Sequence, residues 1–302
     1  WGSLMFQPNW TTIVTTFQKY AFKGLINRYE HLLETPVEEV ESHPDGDYKT
    51  ITDIKVLEEH LPAMKNGFAI DLETTALDIF DAKIVGIAIS YQEGKAFYIP
   101  CNPYLDQPSS ANPYLACLKP LLESESVPKI THNGKYEMHI FASAGIMLRG
   151  VSFDTMLAAY LLYPGERVGL KDLVQRRLGV TMTDYESVVS DGKEQRNFKE
   201  VHIEDAAQYA GADADYTWRL YKLFLPKLKE EKMERLFNDI EGPTQTVLMA
   251  MERAGITLNI SRLSELETET ATKITRLKES IITDAGEDFN LKSTQQLAVK
   301  PL

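Results

Sequence analysis

From Tyr48 to Leu225 short apolar runs alternate with longer stretches whose apolar residues recur at helical spacing, and this alternation restricts the fold more than any other feature. Each strand and each helix must bury its apolar side, and a chain that keeps switching between the two periodicities does so by packing helices on a sheet. Gly67 to Asp71, Lys83 to Tyr91 and Ala96 to Pro100, punctuated by Gly, Asp or Pro, predict successive strands, and Lys129 to Thr131 predicts another. Helices are predicted near Tyr114 to Glu123 and over Asn133 to Ala144, Asp154 to Tyr163, Leu170 to Leu178 and His202 to Leu225. The fold class is α/β, with a largely central sheet.

The flanks read differently. Ile13, Phe17, Tyr20, Phe22, Leu25, Ile26 and Leu32 predict a helical segment within residues 11 to 33, and the acidic, Pro-containing stretch Glu34 to Asp47 predicts a linker. Past Pro226 strands become rare. Met233 to Arg253 reads as helix, Ile256 to Ile260 as one short strand, and Ser261 to Asp284 as a long polar helix carrying Leu263, Leu266, Ile274, Leu277 and Ile281. We therefore divide the 302 residues into an N-terminal helical segment and linker (1–45), an α/β domain (46–232) and a different, mainly helical region (233–302). That length has room for more than one buried core.

Lys and Arg number 32 against 44 Asp and Glu, a net charge of -12, which argues against coating of nucleic acid by a basic surface. Any nucleic acid must bind a local cleft. The longest apolar stretches, such as Ile84 to Ile89 and Met156 to Leu162, fall short of the roughly 20 residues that cross a bilayer, and no charged-then-apolar leader opens the sequence, so no membrane role is expected. Cys101 and Cys117 lack metal-ligand spacing and are expected as reduced thiols.

Acidic residues fall where burial is expected. Asp71 and Glu73 stand two apart at the end of a strand and project to one face, although a lone pair of this kind is ordinarily a solvated strand end. Glu137 shares a helix face with Ile140, Phe141 and Ala144, where a carboxylate needs a salt bridge, a proton or a cation. Asp213 lies among Ala206, Ala210, Thr217 and Leu220, with Tyr209 one turn earlier on the same face. Asp215 is expected to point elsewhere, into solvent, and Asp154 to cap a helix N-terminus. One divalent metal site explains the buried acids together, because crowded carboxylates repel unless neutralised. Oxygen donors without Cys or His favour Mg²⁺ or Mn²⁺ over zinc. No histidine has ligand spacing, though His132 beside Asn133 falls close to these motifs.

Asp71-Leu72-Glu73-Thr74-Thr75, Asn133-Gly134-Lys135-Tyr136-Glu137 and Tyr209-Ala210-Gly211-Ala212-Asp213 resemble the three exonuclease motifs of the proofreading domain in family A, DNA polymerase I type, DNA polymerases. The resemblance continues through Phe153-Asp154-Thr155-Met156-Leu157 and Leu170-Lys171-Asp172-Leu173 into Glu252-Arg253-Ala254-Gly255-Ile256 and Phe289-Asn290-Leu291, which look like the opening of the polymerase domain. It implies an RNase H-like fold and hydrolysis of single-stranded DNA from its 3′ end to nucleotide monophosphates. It also implies two divalent ions, Mg²⁺ or Mn²⁺: Asp71 bridging both, Glu73 and Asp213 completing the first, Glu137 holding the second, and the Tyr209 hydroxyl orienting the attacking water. Leu77 matches the residue that wedges against the terminal base, Asn133 and Tyr136 match residues at the 3′ end, Arg167 a phosphate contact, and Tyr185 a stacking aromatic. The implied partner is DNA, as a single-stranded 3′ end or primer-template, bound by a monomer in a bacterial-type cytoplasm, with an organelle left open.

Two departures stand out. Glu137 replaces the aspartate usual in the second motif, so Glu137→Asp is expected to raise Mg²⁺-supported activity; and no polymerase motif of the D-Y-S or H-D-E type occurs, so this chain is not expected to polymerise DNA. Two other readings share the same acids: an RNA exonuclease of the RNase D type, and a nuclease fold that has lost catalysis and serves as a structural or DNA-holding module.

Overall fold

The computed structural model describes residues 9–19, 23–29, 46–191 and 194–299. A mixed sheet is built from β1 (Asp47–Thr50), β2 (Phe68–Thr74), β3 (Ile84–Gln92), β4 (Lys95–Pro100), β5 (Lys129–Thr131) and β6 (Val151–Asp154), in the order β1-β4-β3-β2-β5-β6. The central β2, β3 and β4 are antiparallel, whereas β1, β5 and β6 run parallel to the neighbours they join. The central strands and β5 are those expected from their apolar runs. The edge strands β1 and β6 were not foreseen, and neither was the helix α3 (Ile54–Met64), whose N-terminus Asp53 caps by accepting from the Lys55 N–H at 2.9 Å.

The alternation of β2 sorts its side chains between two cores. Phe68, Ile70 and Leu72 enter one with Leu57 and Met64 of α3, Leu118 of α4 (Pro113–Leu122) and Phe141 of α5 (Gly134–Ser143). Ala69 enters the other, with Ala158 of α6 (Thr155–Leu162), Leu173 of α7 (Leu170–Leu178) and Ala212 and Tyr216 of α9 (Ile203–Glu230); the short α8 (Tyr185–Val189) also packs on α9. Full burial of each large apolar side chain stabilises the fold by about 1.5–3 kcal/mol. By strand periodicity Asp71 and Glu73 share the face of Ala69, the face covered by α9. Small residues let that helix come close. A Cβ at Gly211 would sit 2.9 Å from Cβ of Tyr48 in β1, too near for any side chain.

The flanking predictions are partly corrected. The single helical segment expected over residues 11 to 33 is two helices among the described residues, α1 (Trp10–Lys19) and α2 (Lys23–Tyr29), with the Trp10 and Tyr29 rings stacked at 5.5 Å. Most of the expected linker, residues 34–45, lies outside the described residues. Met233 to Arg253 forms α10 (Glu234–Leu236), a π-helical turn over Phe237–Glu241, and α11 (Gly242–Ala254).

The chain divides into two compact units, Trp1–Arg253 and Ala254–Leu302. The second is helical, with α12 (Ile260–Ala285) and α13 (Thr294–Ala298). Ile256 to Ile260 is not a strand. Among the described residues no strand pairs with it to complete a ladder, so residues 255–259 stay irregular, and Asn259 accepts from the Arg262 N–H at 2.9 Å to start α12 at Ile260. Among the described residues no helix is long and apolar enough to cross a membrane.

Candidate active site

β2 and α9 bring acid to acid. Asp71, Glu73 and Asp213 each place a carboxylate oxygen within 4.8 Å of the other two. Glu73 and Asp213 are buried and Asp71 is half-buried. Burial and mutual repulsion hold protons on this cluster. Asp71 is pushed up to about 6, chiefly by burial, and Asp213 to about 8, by burial and then by Asp71, with Lys171 pulling both down. Glu73 titrates well above its ordinary range, through burial and then Asp71 and Asp213. Asp213 Oδ1 is buried without a hydrogen-bond partner. Hard oxygen donors, an unpartnered buried oxygen and crowded negative charge together fit a divalent cation.

Glu137 stands slightly apart. It is buried on α5 and titrates well above the usual carboxylate range, through burial and then Asp71, yet it is not among the three carboxylates in mutual close approach. Its own backbone N–H offsets part of that rise, and Oε2 is buried without a hydrogen-bond partner. The expected cluster of four acids thus resolves into three in close contact and a fourth acting on Asp71 from further away.

The start of α5 is fixed locally. Asn133 turns the chain in the left-handed region at φ 72°, and Asp154 gathers two helix N-termini. As expected it caps α6, Oδ1 accepting from the Met156 N–H at 2.8 Å; its Oδ2 also accepts from the Gly134 N–H at 2.6 Å. A Cβ at Gly134 would lie 2.4 Å from Oγ1 of Thr131, so the close approach of α5 to β5 requires glycine. His132 turns its Nδ1 to Oγ1 of Thr155, 2.8 Å away, and takes no part in the acidic cluster.

Tyr209 lies one turn before Asp213 on α9. Burial, followed by the neighbouring carboxylates, raises the phenol pKa and keeps the group protonated. Lys171, second residue of α7, donates from Nζ to that hydroxyl at 2.9 Å. Sequence reasoning assigned Lys171 no role, because a lysine in the first turn of an amphipathic helix ordinarily faces solvent.

The expected substrate residues are spread around the cluster. The Tyr136 hydroxyl hydrogen-bonds Thr74 Oγ1 at 2.6 Å and donates to the Ala76 carbonyl at 3.1 Å, fixing the loop after β2 in which Leu77 is 90% exposed. Tyr185 meets the Tyr209 ring edge-on, centroids 6.2 Å apart. Arg167 is exposed and shares with Lys171, Gln175 and Arg176 the lining of a cavity of about 770 Å³. Asp215 corrects its prediction. It is fully buried, accepting from the Tyr48 hydroxyl at 3.0 Å, the Gly94 N–H at 2.8 Å and Arg219 Nη2 at 2.8 Å.

Comparison with known proteins points one way. The family model for the 3′-5′ exonuclease of A-type DNA polymerases matches residues 48–229. DNA polymerase I of Chloroflexus aurantiacus is 36% identical over 252 residues, 82% of this chain and 26% of that protein. DNA polymerase I of Pseudomonas aeruginosa is 30% identical over 304 residues, 96% of this chain and 33% of that protein. The chain therefore spans about a quarter to a third of the length of these relatives. Among solved structures, the POL domain of Pol1 from M. smegmatis with DNA primer-template and dNTP superposes with a TM-score of 0.67 at 26% identity, covering 82% of this chain and 39% of that one. Escherichia coli RNase D superposes at 0.52 with 19% identity, covering 70% and 52%, a likeness of fold alone.

Proposed function

The chain belongs to the 3′-5′ exonuclease family of A-type DNA polymerases, and on that premise we propose that it removes nucleotides from single-stranded DNA 3′ ends in a metal-dependent hydrolysis. The observation that carries this reading is the close approach of Asp71, Glu73 and Asp213, each in a matched motif. Asp71, Glu73 and Asp213 would hold one divalent ion, and Asp71 with Glu137 a second. When bound, such ions neutralise the scissile phosphate and make a nucleophile of water.

The chain's own residues do the rest. Tyr209, kept neutral, holds the attacking water through its hydroxyl. Leu77 wedges against the terminal base, Asn133 and Tyr136 meet the 3′ end, Arg167 contacts a phosphate and Tyr185 stacks on a base, a set suited to sequence-tolerant single-strand binding. We assign 46–232 to the exonuclease domain and 233–302 to the beginning of a polymerase domain, with primer-template DNA as partner of the longer protein, a monomer of a bacterial-type cytoplasm.

A 5′-labelled single-stranded oligonucleotide tests this directly. It should ladder from its 3′ end with Mg²⁺ or Mn²⁺ and stay intact in EDTA. Degradation that persists in EDTA, or that runs from the 5′ end, overturns the proposal, and faster digestion of RNA than of DNA overturns its substrate in favour of an RNA exonuclease.

The longer side chain of Glu137 carries a further expectation. An aspartate is one methylene shorter and is the residue usual in this motif, so Glu137→Asp should raise the Mg²⁺-supported rate, by about twofold to tenfold, and narrow the advantage of the geometrically tolerant Mn²⁺. Mg²⁺ titrations of both proteins measure this, and a lower rate with weaker metal response in the aspartate variant would show that the backbone is already matched to glutamate.

A further inference from the structure

Lys171 is a cation set into an acidic site by a helix that gains nothing from holding it there. It occupies the first turn of α7, where the macrodipole disfavours positive charge. Its Nζ lies 2.9 Å from the Tyr209 hydroxyl and 4.4 Å from the centre of that ring, and its charge is felt by Asp71, Glu73 and Asp213 alike. An ammonium has protons to donate and no lone pair to accept, so at this contact the tyrosine oxygen must accept. The phenol's single proton is then turned away from the ammonium, and Asp213 stands one turn further along the same helix. The polarity at the hydroxyl is therefore fixed: Lys171 donates and Tyr209 accepts.

We propose that Lys171 is a positioning residue of the exonuclease reaction, fixing the direction in which the Tyr209 hydroxyl points while opposing, by its charge, the binding of metal at the same cluster. The proposal rests on the exonuclease reading above. It goes beyond that reading by giving one residue two effects of opposite sign: without the lysine the site binds metal better and works worse. A lysine that only supports α7 has no such signature, since its loss would loosen the site and weaken both, and one that only grips DNA would change KM and leave kcat alone.

Four proteins decide it: wild type, Lys171→Met, Tyr209→Phe and the double variant, with Lys171→Arg as the conservative control. In steady-state digestion of a single-stranded oligonucleotide, Lys171→Met should lower kcat roughly tenfold to a hundredfold, with KM within about twofold. In the Tyr209→Phe background the same change should lower kcat no further, because the group it acts through is gone. Lys171→Arg, which keeps donor and charge, should stay within about threefold of wild type. Calorimetric titration with Mn²⁺ in the absence of DNA should show Lys171→Met binding at least about threefold tighter.

Wild-type kcat in Lys171→Met, additive losses in the double variant, or unchanged or weaker Mn²⁺ binding each overturn the role of the lysine while leaving the exonuclease standing. If the methionine variant melts below the assay temperature, Lys171→Arg and Tyr209→Phe carry the test: loss of activity in the arginine variant despite a wild-type melt refutes the assignment. Failure of the wild-type protein to digest DNA with either metal overturns the exonuclease reading and this proposal with it.

Discussion

Replacing Asp71 with alanine should lower exonuclease turnover by at least about a thousandfold, because the residue proposed to serve both metal ions is removed at once. The protein should survive the change. Asp71 lies within 4.8 Å of Glu73 and Asp213, oxygen to oxygen, and contributes to raising the titration of each. In the metal-free wild type the folded state therefore holds protons that the unfolded chain has released. Stability on this account is greatest at low pH and falls as the pH rises from near 4, the ordinary carboxylate range, through about 6 for Asp71 and about 8 for Asp213. Asp71→Ala should flatten that decline, with a melting temperature at neutral pH no lower than that of wild type in EDTA, and should lose most of the rise that Mn²⁺ gives wild type. Gel laddering and thermal melts between pH 5 and pH 9 read both effects. An alanine variant that digests DNA at near-wild-type rate would mean that the site lies elsewhere.

What could be read from the sequence follows a physical divide. β2 announces itself by its opening run Phe68-Ala69-Ile70 and β3 by being apolar over most of its length, with residues buried on both faces of the sheet. The carboxylate geometry was legible through strand periodicity, which sends Asp71 and Glu73 to one face, and through helical spacing, which puts Tyr209 one turn before Asp213. Short polar elements gave no such sign. β1 reads Asp-Tyr-Lys-Thr and becomes a strand only by joining β4. That omission explains the error at Asp215. Seen along α9 alone, Asp215 turns away from Asp213 and toward solvent; with β1 in place, Tyr48 and the turn at Gly94 cover it. Lys171 was hidden for the complementary reason, since its partner Tyr209 lies 38 positions away in sequence and only the packing of α7 on α9 brings the two together.

Asp215→Ala should be correspondingly severe for stability. The carboxylate accepts from the Tyr48 hydroxyl at 3.0 Å, from the Gly94 amide at 2.8 Å and from Arg219 through Nε at 3.0 Å and Nη2 at 2.8 Å, joining β1, the β3–β4 turn and α9. Alanine removes every one of those bonds and leaves a buried phenol and a half-buried amide without their acceptor. Breaking a buried ion pair from one side destabilises by about 3–5 kcal/mol. Arg219 keeps some exposure, with 19% of its side chain accessible, and retains Glu93 at 3.7 Å, so the lower end of that range applies. At about 2–4 °C per kcal/mol for a unit of this size, the melting temperature should fall by roughly 6–12 °C. Asp215→Asn keeps the shape and one acceptor oxygen and loses the charge, so its deficit should be smaller, about 1–3 kcal/mol. Because Asp215 holds α9 from the side away from the acidic cluster, either variant should retain DNA cleavage when assayed well below its melting point. A shift under about 2 °C in Asp215→Ala would show that water replaces the carboxylate at little cost and that β1 is held to α9 mainly by the packing of Tyr48 on Gly211.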